Sequence, residues 1–364
     1  MISRGFTRFT TDPCMYKRGT EESCLFVAIY VDDLIIAGVT MPAIDIFKDE
    51  MKTRFKMKDL GPIHYCLGME VTQDLKEGTI TLTQSGYIDS ILRRFGLLDA
   101  NPFTIPMHSS LDLTLDGTEE TFGATPEFDY PSAIGSLLYL SGCTRPDITF
   151  AVNRLSRSLN AHRAAHHSAA RHVMRYLKGS PKIGLLYRRR EVLKLTGYSD
   201  ADWAGETNGR RSVTGYLFTL GDSPISWNSK MQSTVAHSST EAEYLAMGAS
   251  AKEAIYLERL LTELDVILEV NDILTKDLVA SDGTKLKLFG DNQGALAMTT
   301  SAKLNHKATK WYLVREHFIR DLVQSGALTV GYCDTDNMPA DMMTKALPIV
   351  PLRRHRDCMM TPAR

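Results

Sequence analysis

LKLTGYSDADWAG (residues 193–205) is an apolar, β-prone run that ends on an acid. Asp200 closes the strand in Tyr198-Ser199-Asp200-Ala201. The spacing predicts three antiparallel strands, at 192–199, 215–221 and 225–232. A helix is predicted from about 240 to 264, with Glu243 in its first turn. Strand 286–290 stops at Asp291, and a short helix follows. A helix over about 309–325, a strand at 327–333 and a short helix opening on Asp341 complete the pattern. Strands first, then mixed helices and strands, indicate one α+β domain.

Acids at strand ends and helix starts converge at one edge of such a sheet. Clustered carboxylates without a cation destabilise the fold and have raised pKa values. With two divalent ions they form a phosphodiester-cleaving centre. Each acid also has a plainer reading. Ser238-x-x-Glu241 and Thr240-x-x-Glu243 both fit a capping box, so either Glu could cap the helix. Asp291 and Asp341 also suit helix N-termini through the macrodipole.

Upstream, LFVAIY (25–30) and LIIAG (34–38) flank a second acidic site, Asp32-Asp33. Two short strands around a turn are predicted, then a helix over 42–55. Adjacent carboxylates on a tight turn suit magnesium, and a polar hairpin turn reads the same way. Two alternating segments follow near Met69 and Ile80, then a helix carrying Ile88, Ile91, Leu92 and Phe95. Residues 99–130 are rich in Pro, Thr, Ser, Asp and Gly and read as a connector. Helical patterning returns at 131–142 and about 147–178, stopped by Gly179 and Pro181.

The 364 residues carry a formal net charge of −1, which hides an asymmetry. Residues 151–190 hold no Asp or Glu and about ten positive charges, among them Arg154, Arg157, Arg163, Arg171, Arg175 and Lys178. Such a segment suits a phosphate backbone, or else is a solvated helix face. No apolar run is long enough to span a membrane, and no signal peptide stands at the start. Six scattered cysteines without a C-x-x-C argue for free thiols and against a zinc knuckle. An intracellular protein of the cytoplasm or nucleus is expected. No Gly-rich phosphate loop and no serine-hydrolase motif is present.

Taken together, these segments resemble the Pol polyprotein of copia-type retrotransposons. YVDDLIIAG (30–38) looks like the metal-binding box of the reverse transcriptase palm. The likeness continues through FKMKDLGPIHYCLGMEV (55–71), IGSLLYLSGCTRPDITFAVNRLSR (134–157) and RHVMRYLKGSPKIGLLY (171–187). GYSDADWAG (197–205), SSTEAEYLA (238–246), FGDNQGALA (289–297) and NMPADMMTKALP (337–348) look like the family's ribonuclease H domain.

The resemblance implies a partial palm over 1–105, a thumb or connection over 106–190, a ribonuclease H-like domain over 191–350 and a tail over 351–364. The implied fold is a mixed five-stranded sheet flanked by helices. Asp32 and Asp33 match the palm carboxylates, and Asp200, Glu243, Asp291 and Asp341 match the ribonuclease H tetrad. Glu243 is preferred over Glu241 because Ala-Glu followed by an apolar pair fits the family's helix-borne acid. The implied activity is two-metal hydrolysis of RNA in an RNA·DNA hybrid, with magnesium, or manganese in its place. Asp200 and Asp291 would bridge two ions, Glu243 would hold one and read the 2′-hydroxyl, and Asp341 would complete the second.

Departures from the family temper this. Only 29 residues precede Tyr30, and Asp12 lies in a turn without the expected palm motif, so the polymerase site is expected to be incomplete in this chain. Its missing N-terminal part would then be a partner. The family's His-x-Arg-Thr-Lys-His-Ile-Asp reads here with Ala308, Trp311 and Leu313 at three polar positions. No His lies between Gly326 and Asp341 to assist product release. Two rivals stay open: an inactive nucleic-acid-binding remnant, and a subunit completing a polymerase in trans.

Overall fold

The computed structural model describes residues 1–20, 23–113, 128–190, 193–203, 210–264, 269–270, 273–274, 286–301 and 318–361. They pack as two compact units. One is Met1–Ile63 with Ile255–Val266, and the other is His64–Ala254 with Ile267–Arg364.

The first unit holds an antiparallel sheet in the order β1 (Thr7–Arg8), β2 (Met15–Arg18), β3 (Leu25–Tyr30), β4 (Asp33–Gly38), followed by helix α1 (Met41–Lys52). Alternation in β3 turns Leu25 and Val27 inward against Phe6 and Phe47. Tyr30 pairs with Asp33, so Val31 and Asp32 form a two-residue turn. Two-residue hairpins call for left-handed backbone, and Val31 supplies it at φ 52°. A β-branched residue adopts that conformation at a cost, so the tip is strained.

Among its described residues the second unit contains two main sheets and a two-residue strand pair. The smaller runs β5 (Tyr65–Cys66), β6 (Met69–Asp74), β7 (Thr79–Thr83), β8 (Leu185–Arg188), all antiparallel. Helices α2 (Ser85–Arg94), α3 (Tyr130–Cys143), α4 (Thr149–Ser156) and α5 (Ala164–Lys178) lie between β7 and β8 in the chain. The larger sheet uses β9 (Leu195–Asp202), β10 (Val213–Leu220), β11 (Ser223–Met231), β14 (Leu286–Gly290) and β15 (Leu328–Tyr332). A two-residue pair, β12 (Glu269–Val270) and β13 (Ile273–Leu274), stands apart from it. The order is β11-β10-β9-β14-β15, antiparallel through β9 and parallel from there on. Parallel neighbours need crossovers. Helix α6 (Ser239–Glu263) lies in the connection to β14; α7 (Gln293–Thr300) and the helix Phe318–Gln324 lie between β14 and β15. β9 is buried along nearly its whole length, as a central strand covered on both faces must be.

Three expectations are corrected here. The single helix expected over 147–178 is a 3-10 turn, Pro146–Ile148, then α4, then α5 after a break at 157–163. The boundary expected at 190/191 does not separate two cores. Ile134, Leu137, Val173 and Leu177 share one cluster with Val213, Leu217, Met342 and Met343. The segment 351–364 is not a loose tail: most of a helix, Ile349–Met359, falls there, and Leu352 and Met359 join the same core. The positions Ala308, Trp311 and Leu313 lie outside the described residues.

Arg145 is the largest fully buried side chain of this core. Its Nε and Nη2 donate to Asp147 Oδ1 and Oδ2 at 2.9 and 2.7 Å. The same guanidinium reaches the Ser180 carbonyl and hydroxyl at 2.8 and 2.9 Å. Tyr176 donates to Asp147 Oδ2 at 2.6 Å, and Arg356 Nη1 donates to the Tyr176 hydroxyl at 3.0 Å. The turn after α3, helix α5 and the C-terminal helix thus meet at one polar knot.

Candidate active site

The sheet register builds the site. Phe289 is the parallel partner of Tyr198, so continuing two residues sets Asp291 level with Asp200. Asp200 sits near the end of β9, and Asp291 follows the last residue of β14. Helix α6 presents Glu243 from its beginning. Carboxylate oxygens of Asp200, Glu243 and Asp291 all lie within 4.8 Å of one another. Asp341 opens a one-turn helix, Asp341–Thr344, that packs on β9, β10 and α4. All four predicted acids therefore belong to one region of one unit.

The capping ambiguity is resolved by geometry. Glu241 Oε2 accepts from the His237 N–H at 2.8 Å, and the Glu241 N–H donates to Ser238 Oγ at 3.1 Å. Glu241 thus ties the helix start as a near capping box, with its carboxylate reaching one residue past Ser238, and Glu243 is left to the carboxylate cluster.

The electrostatics are those of a site short of positive charge. Burial, then the charges of Asp200 and Asp291, push the Glu243 carboxyl well above its ordinary range. Burial and Asp200 raise Asp341, and burial raises Asp291 although Thr335 donates to its Oδ2 at 2.8 Å. Thr344 donates its hydroxyl to Asp200 Oδ2. Lys345 Nζ lies 3.0 Å from Asp341 Oδ1 and 3.8 Å from Asp200 Oδ2. An all-oxygen, multiply charged set of this kind fits a hard divalent cation.

Thr344, Lys345 and Thr335 were not anticipated from sequence. The signal for Lys345 was present, because Asp341 and Lys345 stand at i and i+4. Gly215 was also missed. It pairs with Asp200 across β9 and β10, and a Cβ there would come within 2.6 Å of both Met343 Cβ and Thr344 Cγ2. The absent side chain is what lets the Asp341 helix lie on the sheet. Gly215→Ala is therefore expected to displace Asp341 and to weaken divalent-ion binding about 10–100-fold, the cost of disturbing a metal site's supports. Calorimetric metal titration of folded variant and parent checks this; equal affinities would remove Gly215 from the account.

The second acidic pair behaves differently. Asp32 and Asp33 are exposed at the β3–β4 hairpin. Among the described residues no third His, Cys or carboxylate completes a metal set with them.

The six cations of the basic stretch also make contacts within their own unit. Arg175 donates to the Asn101 carbonyl at 2.6 Å and stacks over Phe103 at 3.9 Å. Lys178 donates to the Ala100 carbonyl at 2.6 Å. Arg171 lies 4.5 Å over Phe128, Arg163 is buried, and Arg157 bonds Asn153 Oδ1 at 2.9 Å. Arg154 Nη1 lies 3.9 Å from Met107 Sδ. These six cations are engaged inside the unit rather than set out as a phosphate-facing stripe. The physical reason is that α4 and α5 belong to the core, so their arginines fold over its rim. The exposed positive charge of this stretch lies at Lys182, Arg188, Arg189 and Arg190.

A mixed five-stranded sheet in this order, with Asp200 and Asp291 at its parallel strand ends and Glu243 and Asp341 at two helix starts, is a ribonuclease H-like fold. A family model for reverse transcriptase (RNA-dependent DNA polymerase) matches residues 1–109. The chain is 37% identical over 352 residues to the retrovirus-related Pol polyprotein from transposon TNT 1-94 of Nicotiana tabacum, covering 96% of this chain and 25% of that protein. It is 33% identical over 250 residues to a putative transposon Ty5-1 protein of Saccharomyces cerevisiae, covering 68% of this chain and 80% of that one. Among solved structures, the N-terminal ribonuclease H domain of Rv2228c from Mycobacterium tuberculosis aligns with 42% of this chain and 91% of its own, at 11% identity and a TM-score of 0.28. The chain belongs to the copia-type retrotransposon Pol polyprotein family. It spans about a quarter of the length of the polyprotein it matches in tobacco. Among the described residues, no helix is long and apolar enough to cross a membrane.

Proposed function

We propose that this chain is a ribonuclease H-type endonuclease that cuts the RNA strand of an RNA·DNA hybrid with magnesium, manganese serving in its place. The observation that carries the reading is the convergence of Asp200, Glu243 and Asp291 within 4.8 Å, with Asp341 beside them. Family membership supports the substrate class. Asp200, Glu243 and Asp291 would hold one ion, and Asp341 with Asp200 would help to hold a second. Bound divalent ions supply charge stabilisation at the scissile phosphate and a more acidic attacking water. Water adds to phosphorus, the bond from phosphorus to O3′ breaks, and the products carry a 5′-phosphate and a 3′-hydroxyl. Glu243 would also sense the 2′-hydroxyl that distinguishes RNA from DNA.

Residues 1–105 are read as part of a reverse transcriptase palm, and the acids of 191–350 as the nuclease, on a core shared with the helices of 106–190. Asp32 and Asp33 lack a third ligand among the described residues, so polymerisation by this chain alone is left out of the proposal.

The test is cleavage of a labelled RNA·DNA hybrid in magnesium by the full chain and by Asp291→Asn. The parent is expected to cut the RNA strand, and the variant to fall more than about 100-fold, beyond the loss of a mere outer-sphere partner. A folded parent that binds the hybrid and leaves it intact would point to the inactive remnant.

A further inference from the structure

Three of the four acids are arranged to share one divalent ion, while the fourth already faces a cation. Asp341 stands outside the set of oxygens within 4.8 Å, and its Oδ1 lies 3.0 Å from Lys345 Nζ. The same ammonium is 3.8 Å from Asp200 Oδ2. The two carboxylates are almost wholly buried, at 8% and 3% side-chain exposure, so each requires opposite charge close by. Thr344 anchors Asp200 by its hydroxyl, one residue before the lysine, which fixes the pocket the ammonium enters. Lys345 itself is 37% exposed, on a flexible stem, and is free to leave toward solvent.

We propose that Lys345 is the resident cation on the Asp200–Asp341 side of the tetrad. The nucleic-acid-free protein then holds one divalent ion, on Asp200, Glu243 and Asp291, and a second ion enters only by displacing the ammonium. This deepens the nuclease reading and rests on it for the identity of the site. The charges favour it: four carboxylates carry four negative charges, one divalent ion offsets two, and the lysine offsets a third. Without the lysine the remaining deficit falls on Asp341 and Asp200, where a second ion would be drawn in.

The experiment is manganese titration of the metal-stripped full chain without nucleic acid, followed by electron paramagnetic resonance. Wild type, Lys345→Met and Lys345→Arg are compared. Wild type is expected to bind one ion tightly. Lys345→Met should bind a second, about tenfold or more tighter than any second site of the wild type. Lys345→Arg keeps the charge and should return to one. Two tight ions in the wild type, one ion in Lys345→Met, or an arginine variant that behaves like methionine each overturns the proposal. So does the absence of manganese binding throughout. If Lys345→Met fails to fold by circular dichroism, Lys345→Gln takes its place. Hybrid cleavage is scored separately: a chain with this stoichiometry that cuts nothing loses the nuclease reading and keeps the lysine's role.

Discussion

In EDTA, Glu243→Gln is expected to unfold at a higher temperature than the wild type, and to gain little from added magnesium. The carboxyl it replaces is raised from its ordinary value of 4.5 by burial, then by Asp200 and Asp291. Asp291 and Asp341 are raised from 3.8 by burial and by Asp200. An acid whose folded value is raised holds its proton more tightly when folded. Stability from these groups is therefore complete below about pH 4 and is lost as pH climbs through the raised range. Near pH 7.5 without metal the penalty is in force. Glutamine, neutral at every pH, removes the cost of protonating this carboxyl on folding and keeps an oxygen to accept from the Ala201 N–H, as Glu243 does in the parent. The gain should be about 1–3 kcal/mol, the scale of an uncompensated buried polar group. Magnesium at a hundredfold excess over its Kd would stabilise the parent by about 2.7 kcal/mol, and the variant should lose most of that. Hybrid cleavage should fall with it. Thermal unfolding across pH 5–8, with and without magnesium, reads the two stability effects, and a hybrid-cleavage assay reads the third. A variant less stable than its parent in EDTA would show that the carboxylates are not in conflict.

How much of this was legible in the sequence follows from what each feature depends on. The strands of the large sheet were readable because a central strand such as β9 is apolar along its length. The four acids were readable because each punctuates an element: Asp200 near a strand end, Asp291 after another, Glu243 and Asp341 at helix starts. Glu243 could not be separated from Glu241 by spacing, since both satisfy a capping pattern and only the His237 and Ser238 contacts decide. The contacts of the basic stretch were not legible, because charge along a chain does not say which way a side chain turns. Arg175 and Lys178 find backbone carbonyls 74 to 78 residues away in sequence. β8 was not foreseen either, since four residues, Leu185–Arg188, become a strand only by pairing with β7 across the helices between them.

Arg145→Met should cost about 3–5 kcal/mol, because it strands Asp147 as a buried, unpaired charge. Both side chains are wholly buried. Burial alone would raise the Asp147 carboxyl, but the charge and hydrogen bonds of Arg145, with help from the Tyr176 hydroxyl, hold it below its ordinary 3.8. An acid depressed in this way contributes stability that is present above about pH 4 and is lost as pH falls through the lowered value. Acid should therefore weaken the parent below about pH 4, a window in which the raised tetrad acids already give their full contribution and change nothing further. Replacing both partners, Arg145→Met with Asp147→Leu, should recover much of the loss, since the desolvated pair has little net worth over an apolar fill. Recovery will be partial, because Ser180 loses Arg145 and the Tyr176 hydroxyl loses Asp147. The effect should reach the site as well. The turn Pro146–Ile148 and α4 pack against the helix that carries Asp341, so loosening the knot lets that acid drift. Chemical denaturation of the two single and the double variants, with manganese affinity measured in parallel, separates these effects. A double variant no more stable than Arg145→Met would show that the network, not the stranded charge, holds the core together.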